Sequence, residues 1–415
     1  MYILQKPLLS FEQFLELDRK NRLVGIFSTL DLSSVVIALD SSRCGPQGYP
    51  IEAMVRSLIA KQVEGIPTVA KLVERLRCDP AFRYWCGFSL YGRVPSEATF
   101  SRFLSKLAET GVMDTLFQEL VAKGRELGII GNEDVAIDST EIDAYERAKP
   151  KKECTEDGNS AAWGSKRDTH GNQITWFGYK THLACDCQSE LPVAIAVTPA
   201  NVHDCKMALP LIEKVTASLS KDKWPEHWIM DSAYDVVDVY RKVHDDYHAQ
   251  AIIPLNTRGA KEPPEGFDFD GTPICSMGYR MTYWGYDAEN GTNKFRCPHV
   301  VGKVDCPQGS CWCSSSSYGR VVKTRVAEDP RRFCAPHRGS RTWQYIYDRR
   351  TSAERCFSRL KENLGANNLR VRGIKKVLLH QVICSVALIA GTLAVNILET
   401  QRQKDSTTIT ATKAA

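Results

Sequence analysis

The chain has little net charge, no leader pattern and no long alternating apolar run in its first third, and each absence narrows what it can be. A formal charge of +5 on 415 residues is only mildly basic. It fits a nucleic-acid partner where basic residues cluster locally, but does not imply one. The N-terminus lacks a basic stretch followed by an apolar core and a small-residue cleavage site, so no secretory signal is expected and the cytoplasm is the expected compartment. There the 15 cysteines would be reduced thiols, buried as small apolar groups or gathered on a metal. One run, Val377 to Leu398, is apolar for long enough to span a bilayer. His380, Gln381 and Asn396 interrupt it, and Arg370, Arg372, Lys375 and Lys376 precede it, which favours a buried core helix and no membrane. What remains is ordinary globular composition, 43% hydrophobic and 25% charged, with room for roughly two or three domains.

Residues 1 to about 130 read as helical. Val69, Leu72, Val73 and Leu76 share one face of a helix from Thr68 to Arg77 that Asp79-Pro80 should stop. Pro95-Ser96 should open another, with Ser96 as N-cap and Phe100, Phe103, Leu104 and Leu107 inward. Lys71, Arg75, Arg77, Arg93, Arg102 and Lys106 are left outward. Short helices with outward bases suit a helix-turn-helix-like DNA-reading module, and equally a packing or dimerisation domain with a solvated basic face.

From Val135 the pattern changes to strands. Val135-Ala136-Ile137 ends in Asp138-Ser139-Thr140, and Arg147 to Asp168 reads as an exposed polar connector carrying the basic run Lys149-Pro150-Lys151-Lys152. Phe177 to Asp186 and Pro192 to Thr198 form a predicted hairpin through Cys187 to Glu190. A helix is predicted from Ala200-Asn201-Val202-His203-Asp204 to about Leu219. Trp228-Ile229-Met230 is a fourth strand ending in Asp231, and Ala251 to Leu255 a fifth. A strand that delivers a carboxylate at its end fixes a metal ligand rigidly, although a strand-terminal Asp is more often a turn residue. The order of elements is that of a ribonuclease-H-like α/β mixed sheet with flanking helices, in which the ends of the first and fourth strands lie side by side where open sheets place their ligands.

The stretch Tyr347 to Lys361 supplies a third acid. On one helix, Tyr347, Arg350, Glu354 and Lys361 fall within about 60° of each other, beside an apolar stripe of Ala353, Phe357, Leu360 and Leu364. Thr351-x-x-Glu354 also fits a capping box, which would start the helix at Thr351 and leave Tyr347 outside it.

These residues resemble a DDE-type transposase of bacterial insertion sequences, in the branch marked by Tyr-x2-Arg-x3-Glu-x6-Lys. Tyr347, Arg350, Glu354 and Lys361 fit that spacing without a gap. Asp138-Ser139-Thr140 and Asp231-Ser232-Ala233-Tyr234 are similar to the family's two aspartate motifs, and Phe177-Gly178-Tyr179-Lys180 and Ala200-Asn201-Val202-His203-Asp204 to recurring segments. The resemblance implies that Asp138, Asp231 and Glu354 are catalytic and hold two Mg²⁺ or Mn²⁺ ions, an all-oxygen set those ions prefer. It also implies that Tyr347, Arg350 and Lys361 bind DNA near the scissile bond, and that the enzyme acts on double-stranded DNA as a homodimer. A metal-dependent nuclease of the same fold would keep the three acids, and a DNA-binding protein of the same descent would keep the helices; both stay open at this point. The expected organisation is a helical unit to 130, a catalytic domain from 131 to 255 resumed at 343 to 398, and a polar tail from 399. Between the halves, 256 to 342 is a Pro-, Gly- and Ser-rich insertion with Cys275, Cys297, Cys306, Cys311, Cys313 and Cys334, near His299 and His337. Cys297, Cys306, Cys311 and Cys334 are the candidate ligands of a structural Zn²⁺, without a clean C-x2-C pair to fix the choice.

Overall fold

Helices account for the N-terminal third as its periodicity requires. In the computed structural model, which describes residues 10, 13, 15, 21–40, 48–150, 160–167, 170–309 and 312–414 with side chains as far as 403, they are α1 (Arg22–Ser28), α2 (Ser33–Leu39), α3 (Ile51–Val63), α4 (Val69–Cys78), α5 (Pro80–Trp85), α6 (Glu97–Thr110) and α7 (Val112–Glu126). Caps define their starts: Thr68 Oγ1 accepts from the Lys71 N–H and Ser96 Oγ from the Thr99 N–H. Asp79-Pro80 ends α4 and at once opens α5, with the Asp79 carboxylate accepting from Phe82 and Pro80 in the first turn. Leu72, Val73 and Leu76 are buried as expected. On α6 only Phe100 and Leu107 are fully so, while Phe103 and Leu104 are half-buried at its margin.

The sheet follows. Its strands are β1 (Asp134–Asp143), β2 (Ala162–Arg167), β3 (Gln173–Asp186), β4 (Pro192–Pro199), β5 (His227–Met230) and β6 (Gln250–Ile252). The path runs β4-β3-β1-β5-β6, with β3 antiparallel to both β4 and β1, and β5 parallel to both β1 and β6. Four sequence expectations need correction. β1 does not end at Asp138 but continues to Asp143 along β3, because the β3 hairpin offers a longer partner than β5 does. The polar connector contains a strand, β2, which pairs only with the outer half of β3; with one edge open, its outer residues Ser165 to Arg167 are exposed and show no apolar alternation. The helix expected from residue 200 begins as a 3₁₀ turn (Asp204–Met207), and the α-helix proper, α8, is Ala208–Ala217, with Pro210 in its first turn, where no donor is needed. β6 is also shorter than expected, since Pro254 cannot donate to a ladder.

After α9 (Val237–Asp245) and β6, the insertion forms its own antiparallel sheet of β7 (Thr282–Asp287), β8 (Thr292–Arg296) and β9 (Val321–Arg325). It is tied to the main sheet through Asp235, whose fully buried carboxylate accepts from Arg331 at 2.6 and 3.0 Å and from the Asn256 N–H at 2.8 Å. The chain then enters α10 (Arg341–Asp348), α11 (Thr351–Ser358), a π-helical turn (Arg359–Asn363) and the long α12 (Ile374–Ala414). Among the described residues α12 is the one unbroken helix long and apolar enough to cross a bilayer, but 61% of its most apolar window is buried inside the protein. It packs on α7, α1, α3 and α6 on one side and on β4 on the other. Val382, Val386, Ile389, Ala390 and Leu393 thereby join the N-terminal helices and the sheet in one apolar core.

Candidate active site

The register of β1 and β5 positions two carboxylates. Their parallel ladder ends at the pair Ile137 and Met230, so Asp138 and Asp231 are the next residues on adjacent strands, which lie roughly 5 Å apart. β5 stops there because Asp231 accepts from the Ala233 N–H at 2.9 Å and caps a 3₁₀ turn, Ser232–Tyr234. Asp138 accepts from the Ser139 N–H at 2.8 Å.

Glu354 arrives from α11, which packs across β1 and β3. Arg350 lies between the acids, donating to Asp138 at 3.4 Å and to Glu354 one turn further on. Glu354 therefore faces the same side of the sheet as the aspartates, with about half its side chain in solvent (52%). The expectation of one continuous helix is corrected. The chain breaks between α10 and α11, so Tyr347 belongs to the earlier helix, stacked on Trp343 with ring centroids 4.9 Å apart. The start at Thr351 matches the capping-box alternative, but the box itself does not form: Thr351 donates to the Asp348 carbonyl, and the Glu354 carboxylate accepts from Arg350 rather than from a backbone N–H. The π-helical turn carries Lys361 onto Thr140, two residues along β1 on the face of Asp138.

The electrostatics are those of crowded acids. Burial, with the charges of Asp231 and Glu354, raises the Asp138 carboxyl to about 6 against the opposing pull of the Ser139 N–H and Arg350. Asp231 is also raised, by burial first and by Asp204 among its neighbours. Arg350 is pulled down by burial but held above its ordinary value by Asp138 and Glu354. Asp204 was not singled out as a site residue by the sequence. It is held by Lys180 at 2.9 Å, with His182 Nδ1 3.9 Å away, so the segments Phe177-Gly178-Tyr179-Lys180 and Ala200-Asn201-Val202-His203-Asp204 meet beside Asp231. The hairpin register, which pairs Lys180 with Thr198, was the signal that could have found this.

Among the described residues no three His, Cys, Asp or Glu side chains form a ready metal-binding group. In the insertion, Cys297 and Cys306 line one small cavity together with Cys275, Cys313 and His299. Cys334 is not with them. It is buried in the main core and lines a different cavity beside Tyr240, where Arg338 four residues on donates to the Ile253 carbonyl and the Tyr240 hydroxyl. Cys311 and the basic residues Lys151 and Lys152 lie outside the described residues.

Residues 131–389 match the family described as the transposase DDE domain, and residues 10–106 match a second family described as a transposase domain. With well over half its length covered, the chain belongs to the DDE transposase family. It is a transposase, an enzyme that cleaves and joins DNA, and the family implies dependence on a divalent cation. Among solved structures, the piggyBac transposase synaptic complex with hairpin DNA is 9% identical with a TM-score of 0.38, covering 92% of this chain and 77% of that one; a likeness this weak carries no weight.

Proposed function

We propose that Asp138, Asp231 and Glu354 are the catalytic carboxylates of this transposase, on a ribonuclease-H-like sheet, and that they cut and join DNA at the ends of a mobile element. The observation that carries this reading is the common cation: Arg350 lies between Asp138 and Glu354 while the β1–β5 register sets Asp231 beside Asp138. A buried carboxyl raised by two neighbouring acids, as Asp138 is, is an arrangement that ordinary folding would avoid, and such sites are most often functional. The donor set fits a divalent cation, since it is all oxygen and carries more negative charge than Arg350 balances. Mg²⁺ or Mn²⁺ bound there would activate water or a 3′-hydroxyl for in-line attack and stabilise the leaving oxygen. The chain's own residues do the rest. β1 and β5 hold two acids rigidly, while α11 brings the third on an exposed side chain that can reorient. Arg350, with its planar fork, and Lys361, as a point charge, bind phosphate beside the scissile bond once DNA competes for them, and Tyr347 lines the approach.

The helices before residue 130 recognise the element's ends or assemble two copies on DNA. The insertion shapes access; four thiols and one imidazole line a cavity of about 10 Å³, donor types that a structural zinc takes, although among the described residues no three of them are grouped for one as they stand. The test of the site is cleavage of a duplex carrying the element's end by Asp138→Asn, Asp231→Asn and Glu354→Gln. Each should lose cleavage while binding the duplex as well as the parent or slightly better, since negative charge facing phosphate is removed. Retained cleavage in any one of them would refute its assignment.

A further inference from the structure

Most basic side chains around the three acids are already neutralised: Lys166 by Glu141, Lys180 by Asp204, Arg349 by Asp134, Arg355 and Arg359 by Glu190. A second set is not. Lys61 on α3, Arg370 and Arg372 on the segment before α12, and Lys376 on α12 line a groove of about 500 Å³. Among the described residues none of the four has an acidic side chain within ion-pair distance. Their mutual repulsion is visible at Lys61, which burial first and then the charge of Arg370 hold below the ordinary lysine value. Cations forced together without partners cost stability, and a chain retains them where an anion is to be bound.

The groove is built to keep that charge in place. Along residues 369–372 the apolar and basic side chains alternate: Leu369 and Val371 pack with Ile142, Tyr179 and Val377 in a small second core, which turns Arg370 and Arg372 outward. Their guanidinium groups lie 5.4 and 5.8 Å from the ring of Tyr145, an exposed aromatic just beyond β1. β1 also fixes the direction. Arg350 lies over Asp138 and Lys361 over Thr140, while Ile142 underlies Leu369 and Tyr145 underlies the arginines. From Asp138 to Tyr145 an extended chain covers about 20 Å, which is about six nucleotide steps along one strand of a duplex. The opposite wall is the first turn of α6, with Glu97, Ala98 and Ser101.

We propose that this groove seats the sugar–phosphate backbone of the duplex about six nucleotides from the bond being cut, with Lys61, Arg370, Arg372 and Lys376 as phosphate contacts. The inference rests on the reading of Asp138, Asp231 and Glu354 as the cutting site, and it makes the N-terminal helices one wall of the DNA channel.

The test is titration of a random-sequence duplex with the full chain at several salt concentrations, without divalent metal so that no cutting occurs. Arg370→Gln with Arg372→Gln, both at exposed positions, is compared with Lys221→Gln with Lys223→Gln, exposed at the opposite edge of the sheet before β5. The groove variant should show a plot of log affinity against log salt shallower by about two, and the control should match the parent. Lys376→Gln alone should lower the slope by about one, which guards against an unfolded double variant. A groove variant with the parent's slope overturns the proposal, as does an equal loss in the control, which would mean diffuse attraction. If these binding results hold while Asp138→Asn still cleaves, the cutting site is elsewhere and the groove stands as a DNA seat alone.

Discussion

Asp138→Asn should make the metal-free protein more stable, not less. The carboxyl of Asp138 is raised from 3.8 to about 6 by burial and by the neighbouring acids. Because its folded pKa lies above its unfolded one, it favours the folded state only while protonated. That contribution is whole below about pH 4 and is lost as the pH rises through 6. The shift of about two units corresponds to about 3 kcal/mol, an upper figure for a side chain only 17% exposed. Asparagine keeps the shape and can still accept from the Ser139 N–H, but cannot ionise. For 415 residues the unfolding entropy is about 0.9 kcal/mol/K, so the gain at pH 8 is about 3 °C in Tm. The assay is thermal unfolding of parent and variant in chelator from pH 4 to pH 8. The difference should be near zero at pH 4, grow through pH 6, then shrink when Mg²⁺ is restored to the parent. A difference that is flat with pH, or a variant less stable than the parent at pH 8, would refute the account of crowded carboxylates.

Gly178→Ala should lower stability by about 3 kcal/mol, read as a fall in Tm with loss of soluble yield, because an added Cβ would lie 2.1 Å from the Ile142 carbonyl oxygen and 2.8 Å from the Ala144 nitrogen. A variant with unchanged Tm would mean that the β1–β3 crossing is looser than described. For the insertion, protein made under reducing, zinc-supplied conditions should carry one zinc per chain by elemental analysis. Cys297→Ser should remove it while Cys334→Ser should not; zinc-free parent protein would exclude the metal.

The proposed acids stand out in the sequence for a physical reason: each terminates or flanks a short apolar run, and a strand or helix start leaves few ways to place such a side chain. The signature at 347–361 was legible as spacing but not as shape, since a break after Asp348 and a π-helical turn after Ser358 alter the rotation between Tyr347, Glu354 and Lys361 without changing the residue count. β2 was hidden because an edge strand with one partner needs no apolar alternation. The role of Arg350 between two acids, and the meeting of Lys180 with Asp204, depend on register across the sheet, which no local window carries. Likewise, the cysteines of the insertion could be counted but not sorted, because Cys334 joins the main core beside Tyr240, where the chain is held by Arg338 donating to the Ile253 carbonyl and the Tyr240 hydroxyl, residues far away in sequence.

The helix α12 has a consequence for how the protein is born. Val382, Val386, Ile389 and Leu393 complete the core of helices that begin at Arg22, so those helices can pack on one another as they leave the ribosome, but the face that α12 covers stays bare until that last long helix is made. Domains usually fold as they emerge, N-terminal first; here the core of α1 to α7 is completed only by a segment translated after the sheet and the insertion. The N-terminal helices and the sheet that carries Asp138 and Asp231 would thus reach their final packing together, and a truncated or stalled chain would lack the finished form of both.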